Sequence, residues 1–161
     1  MAAAQTSPGA RLFGLWQRLA PWPGGRWLFG RIIGRMAPYT GSISPRVREL
    51  RPGYARIELR DRRRLHNPFR SIHAIALTNL GEATSGLALL VGLPPGMRGI
   101  PIRISTDYYK KARGLLVAEA RCEVPPVRSE DFEYEIQAEI RDAAGDVVAC
   151  TTACWRLGPV T

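Results

Sequence analysis

Glu82 lies near the middle of a stretch, residues 71–91, that is otherwise almost wholly apolar. A carboxylate in such a setting is costly unless it is paired, hydrogen-bonded or protonated. Burial raises its pKa and suits it to act as a general base near neutral pH. At helical spacing, Thr78, Asn79 and Ser85 share its face at i−4, i−3 and i+3. Two readings of this polar cluster stand side by side: a reactive site, or a partly wet face that meets a symmetry mate. His66-Asn67 comes just before the stretch, and His73 falls in its first turn. A helix start offers free backbone N–H groups and the positive end of the dipole, which suit an acyl carbonyl becoming an oxyanion. The plainer reading makes His73 a capping or packing residue. His73 and Glu82 are nine residues apart, about half a turn out of phase. They form no direct pair within one subunit unless His73 precedes the regular helix.

Other chemistries find little support. There is no G-x-S-x-G elbow, P-loop or dinucleotide-binding glycine pattern. His66 and His73 are the only histidines and no cysteine is near them, so no metal site is expected. No interleaved basic and aromatic pattern of a nucleic-acid module is evident, and no nucleic-acid partner is expected.

The elements that must position these residues follow from periodicity. Residues 71–91 read as a buried helix with Ser71 as its N-cap, ending before Gly92. Gly81 and Gly86 inside it imply another backbone close by. Ile43 to Leu50 and Tyr54 to Arg60 read as strands around a Pro52-Gly53 turn, and Asp61 to Asn67 as a polar loop. Ile100 to Tyr108, Leu115 to Val124, Phe132 to Arg141 and Val147 to Leu157 read as further strands, with a hairpin turn at 142–146. Two strands, one buried helix and a run of antiparallel strands make an α+β domain with one sheet around one helix.

Ahead of it, residues 1–10 read as a loose tail and residues 11–36 as two short amphipathic helices broken by Pro-Trp-Pro-Gly-Gly at 21–25. Their apolar stripe packs on the same domain or a dimer mate, the favoured reading. The alternative is a peripheral contact of residues 11–36 with a membrane interface. Charge is uneven: residues 1–70 hold 14 Lys+Arg against 3 Asp+Glu, and residues 71–161 hold 9 against 11. The basic half favours an anionic surface or ligand such as coenzyme A, without choosing between them. Cys122, Cys150 and Cys154 form no C-x-x-C pair and read as reduced thiols of a cytoplasmic protein. No apolar run reaches the length of a membrane span.

The stretch H-N-P-F-R-S-I-H-A-I-A-L-T-N-L-G-E, residues 66–82, resembles the N-x-x-G-x-x-H-G-G … D/E signature of hotdog-fold acyl-CoA thioesterases, most closely the phenylacetate-pathway type. The chain is also similar to an uncharacterised hotdog branch with an N-terminal helical extension. Pro38-Tyr39-Thr40-Gly41, residues 107–114 (DYYKKARG) and residues 142–149 (DAAGDVVA) look typical of that branch but are less specific. The resemblance implies a helical extension over residues 1–40 and a hotdog domain over 41–161. It implies that Glu82 acts as general base or nucleophile, Asn67 positions the thioester or water, and the Ala74 N–H holds the oxyanion. His73 takes the place of the family's histidine. Thr78, Ser85, Lys110, Lys111 and Arg113 are the candidate substrate contacts. The resemblance also implies a homodimer or tetramer with Asn67 and Glu82 from different subunits, an acyl thioester substrate, and no cofactor beyond the coenzyme A of the substrate itself. Arg70 stands where the family has Gly, and Ala74-Ile75 where it has Gly-Gly. The other implied function is a non-catalytic hotdog that binds acyl chains or lipid, with Glu82 structural.

Overall fold

The computed structural model describes residues 7–160. Three helices come first: α1 (Pro8–Leu19), α2 (Gly25–Met36) and α3 (Pro38–Ser42). Strands β1 (Arg46–Arg51) and β2 (Tyr54–Arg60) and a short 3-10 turn (Arg63–Leu65) lead into α4 (Ala74–Leu90). Strands β3 (Met97–Tyr108), β4 (Leu115–Arg121), β5 (Phe132–Arg141) and β6 (Val147–Pro159) complete the chain. The strands form one antiparallel sheet in the order β1-β2-β4-β5-β6-β3.

The alternation in β2 and β5 produces this sheet. Ala55, Ile57 and Leu59 of β2 and Ile136, Ala138 and Ile140 of β5 are buried, while Glu133, Glu135 and Glu139 face outward. On the outer face Arg56 lies 3.4 Å from Glu49 and 3.4 Å from Glu119, linking β1, β2 and β4. Helix α4 touches all six strands. Six strands span about 24 Å, more than twice a helix diameter, so the sheet must curl around the helix. This is the hotdog arrangement that the resemblance implies.

Several boundaries differ from the sequence reading. Residues 1–6 of the expected tail lie outside the described residues. Its remainder is not loose: Ser7 caps α1 by accepting from the Ala10 N–H at 3.1 Å, and Pro8 occupies the first turn, where it loses no hydrogen bond. The strand expected from Ile43 begins at Arg46, because α3 and Pro45 occupy the preceding residues. The N-cap of α4 is His73, not Ser71. Gly81 and Gly86 answer to side chains rather than to another backbone. A Cβ at Gly81 would lie 2.1 Å from Thr151 Oγ1, and one at Gly86 3.0 Å from the Trp155 ring.

The two N-terminal helices belong to the core. Trp16 and Phe29 meet edge to face at 5.0 Å, and with Ile33 they join the same buried cluster as Leu77 and Leu87 of α4. The stripe of α2 is therefore Phe29 and Ile33, while Trp27, Leu28 and Met36 stay exposed. Phe29→Ala should cost about 3–5 kcal/mol, the range for a large aromatic deleted from a packed core. A urea melt checks it; an unfolding free energy within about 0.3 kcal/mol of wild type would show that the extension is not part of the cooperative unit.

Candidate active site

The loop ahead of α4 is organised by its own side chains. Asn67 Oδ1 accepts from the N–H groups of Phe69 (2.9 Å) and Ser71 (3.2 Å), and Asn67 Nδ2 donates to Ser71 Oγ (3.0 Å). Arg70 sits at φ 56°, in the left-handed region. That conformation explains why glycine suits this position, and why the chain bears a cost with Arg here. Arg113 steadies the strained residue by donating from Nε to the Arg70 carbonyl at 3.0 Å. Asp61 pairs with His66 and accepts from the Gly114 N–H at 2.8 Å. Burial pushes the Asp61 carboxyl up, but the bonds from His66 and Gly114 outweigh it and hold it below the ordinary range.

His73 stands at the head of the helix in an extended conformation, and its Nδ1 accepts from the Ile75 N–H at 3.1 Å. It lies before the regular helix, as a pairing with Glu82 would have required, yet its imidazole is spent on the cap. Ala74 is the first helical residue. Its N–H has no acceptor among the described residues, and its carbonyl accepts from Tyr108 Oη at 3.2 Å and Thr78 Oγ1 at 3.3 Å. Thr78 also bonds Thr106 Oγ1 (3.0 Å) and Tyr108 Oη (2.8 Å). This ties the first turn of α4 to β3.

Glu82 lies eight residues beyond Ala74, a rise of about 12 Å along the helix. It is half-buried in an apolar cavity of about 280 Å³ roofed by Leu12 of α1 and Ile33 and Met36 of α2, with Val47, Ile57 and Trp155 from the sheet. Burial pushes its carboxyl above the ordinary range. The carboxylate has no hydrogen bond or ion pair among the described residues. Trp155 Nε1 is likewise buried without a partner. The Glu82 carboxylate and the benzo edge of Trp155 flank Gly86, so one small residue leaves open a space that a larger one would fill. An unpaired carboxyl in an apolar cavity can take a proton from a polar group that enters.

The other expected contacts are dispersed. Ser85 is buried and donates to the Glu82 carbonyl at 3.0 Å. Lys110 is tied to Asp142 and Asp146 at 2.6 Å each, across the β5–β6 turn. Lys111 is exposed. Thus Asn67, His73, Ala74 and Arg113 gather at the start of α4. Glu82 and Ser85 lie two turns on, and Lys110 belongs to another corner. Sequence reasoning missed Tyr108, Thr106 and Trp155. The exposed run of β3 held a signal: Ile100, Ile102 and Ile104 alternate, but all are solvent-exposed on an edge strand with one free side. The cysteines are free thiols, and among the described residues no group of His, Cys, Asp or Glu is arranged for a metal and no helix is long and apolar enough to cross a membrane.

The profile of the family described as a domain of unknown function, DUF4442, matches residues 25–157. No curated protein matches the chain at a significant level. Among solved structures, a structural-genomics protein is similar over 94% of this chain and 99% of its own, at 26% identity and a TM-score of 0.79. A protein of unknown function from Pseudomonas aeruginosa is 22% identical with a TM-score of 0.70, over 79% of this chain and 91% of its own. A thioesterase family protein from Silicibacter pomeroyi is 16% identical with a TM-score of 0.68, over 81% and 96%.

Proposed function

The chain belongs to the DUF4442 family and carries the hotdog fold, and from that premise we propose that it hydrolyses the thioester of a fatty or aromatic acyl group carried on coenzyme A or a carrier protein. The observation that carries the reading is Glu82: an unpaired, half-buried carboxyl with a raised pKa in an apolar cavity, eight residues after a helix start with a free N–H. Glu82 takes the proton of the attacking water. The Ala74 N–H receives the charge that develops on the carbonyl oxygen, aided by the helix dipole. Asn67 fixes the loop that presents that N–H. One helix holds Ala74 and Glu82 about 12 Å apart along its axis, and the resemblance implies that each site draws its carboxylate and its loop from different subunits.

A second copy supplies the missing half. The free side of β3, with Ile100, Ile102 and Ile104 exposed, supports pairing of two protomers along this edge. Long apolar edges left unpaired are liabilities that proteins otherwise blunt. Light scattering of the full chain should give at least a dimer.

Hydrolysis of short, long and aromatic acyl-CoAs by wild type and Glu82→Ala, side by side, tests the function. Turnover that vanishes in the variant establishes a thioesterase. No turnover by either favours a binding protein in which the cavity holds an acyl chain and Glu82 is structural, and equal turnover by both removes Glu82 from the chemistry. Membrane contact by the extension is a second reading, favoured by Trp22, Trp27, Leu28 and Met36, which are exposed among arginines. Trp22→Ala/Trp27→Ala should then lose binding to phosphatidylglycerol vesicles.

A further inference from the structure

Arg26, Arg31, Arg35, Arg46 and Arg62 converge on one cleft of about 330 Å³, formed by α2, the α3–β1 junction and the loop after β2. No carboxylate lines it, and none of the five forms an ion pair among the described residues. Burial and the neighbouring Arg60, Arg62 and Arg48 lower the pKa of Arg46 by more than Glu58, its cross-strand neighbour, raises it, so like charges crowd here. Trp27 under Arg31, at 5.2 Å, gives the cleft a flat aromatic wall. The cleft adjoins the Glu82 cavity: Gly30 and Pro45 line both spaces. A Cβ at Gly30 would lie 3.1 Å from the Pro45 carbonyl and crowd that junction.

We propose that this arginine cleft binds the phosphate groups of a coenzyme A moiety, with the thiol arm directed past Gly30 and Pro45 toward Glu82. Planar guanidinium groups engage phosphate through paired charge-assisted hydrogen bonds. Five of them match a head with several phosphates rather than the single phosphodiester of a carrier protein. Concavity, and lining from three separate chain segments, fit one discrete ligand better than a flat lipid surface. The inference rests on the thioesterase reading for its geometry, and the experiment separates the two.

The full-length wild type and Arg31→Ala/Arg35→Ala are compared for coenzyme A affinity by calorimetry. They are also compared for hydrolysis of decanoyl-coenzyme A and of S-decanoyl-N-acetylcysteamine, which lacks phosphates. Both arginines are exposed, so the fold should survive, which circular dichroism checks. The expected result is a coenzyme A Kd weakened about tenfold or more. KM for decanoyl-coenzyme A should rise in parallel with kcat little changed, and the phosphate-free thioester should be handled equally by both proteins. Unchanged coenzyme A affinity, or none in wild type, overturns the assignment. So does a loss confined to phosphatidylglycerol vesicle binding, measured on the same two proteins by co-sedimentation, which would give the arginines to a membrane. Absence of hydrolysis of either thioester by wild type sinks the thioesterase reading alone, because the calorimetric arm still decides the cleft.

Discussion

Glu82→Gln should lower kcat/KM for an accepted acyl thioester by about 10²–10⁴-fold, the usual contribution of a positioned general base, and should at the same time make the protein more stable at neutral pH. The two effects share one cause. Burial raises the pKa of Glu82 in the folded chain above its unfolded value. Below the unfolded value both states carry the proton and the residue is neutral in the balance. Between the unfolded and folded values the native state holds a proton that the unfolded state has released, so stability falls as pH rises. Above the folded value the penalty is complete and constant. Glutamine removes it. Melts of both proteins from pH 4 to 8 should diverge across that window and run parallel above it, with the variant the more stable. The kcat/KM of wild type should climb with pH along a limb lying above the ordinary range of glutamate. A variant both inactive and less stable at pH 8 would make Glu82 a packing residue.

Ala74→Pro should reduce turnover about 10²–10³-fold, the cost of one oxyanion donor, with little loss of stability. Proline is tolerated at the first position of a helix, where its missing N–H has no intrahelical partner. His73 already has the extended backbone, φ −64° and ψ 140°, that a residue before proline requires. The substitution therefore deletes one hydrogen-bond donor and almost nothing else. Ala74→Gly keeps the N–H and should retain most of the activity, which separates loss of the donor from general disturbance of the helix start. Equal kcat in Ala74→Pro and wild type would mean the carbonyl is held elsewhere.

Much of the frame was legible because one alternation decides it. Tyr54 to Arg60 and Phe132 to Arg141 are strands with the boundaries their patterns give, since each buries one face and wets the other. Residues 71–91 could be nothing but a buried element. The start of that helix was less legible. Ser71 has the better cap chemistry, but the His66–Ile72 bridge and the bond from the His73 N–H to the Leu65 carbonyl keep the chain extended through residue 73. Those contacts are made by the fold rather than by local preference. The covered face of α2 was illegible for a similar reason: Trp27 and Leu28 are as apolar as Phe29, and only the position of α1 shows which side is covered. Glu82 stood out as a charge in an apolar run, whereas Trp155 joins it only once β6 lies against α4. The five arginines are scattered between positions 26 and 62, and nothing in their spacing says that they meet.

A site shared between two subunits, as proposed, makes turnover a property of pairs. Glu82→Gln and Ala74→Pro should each be inactive alone yet complement one another when their subunits are exchanged. Random reassortment of equal amounts gives half mixed pairs, and each mixed pair has one site with both lesions and one with neither. About one quarter of the wild-type activity should therefore return. The same logic makes the specific activity of wild type fall on dilution below its dissociation constant, so the cell's stock of this chain would set how fast each copy works as well as how many copies there are.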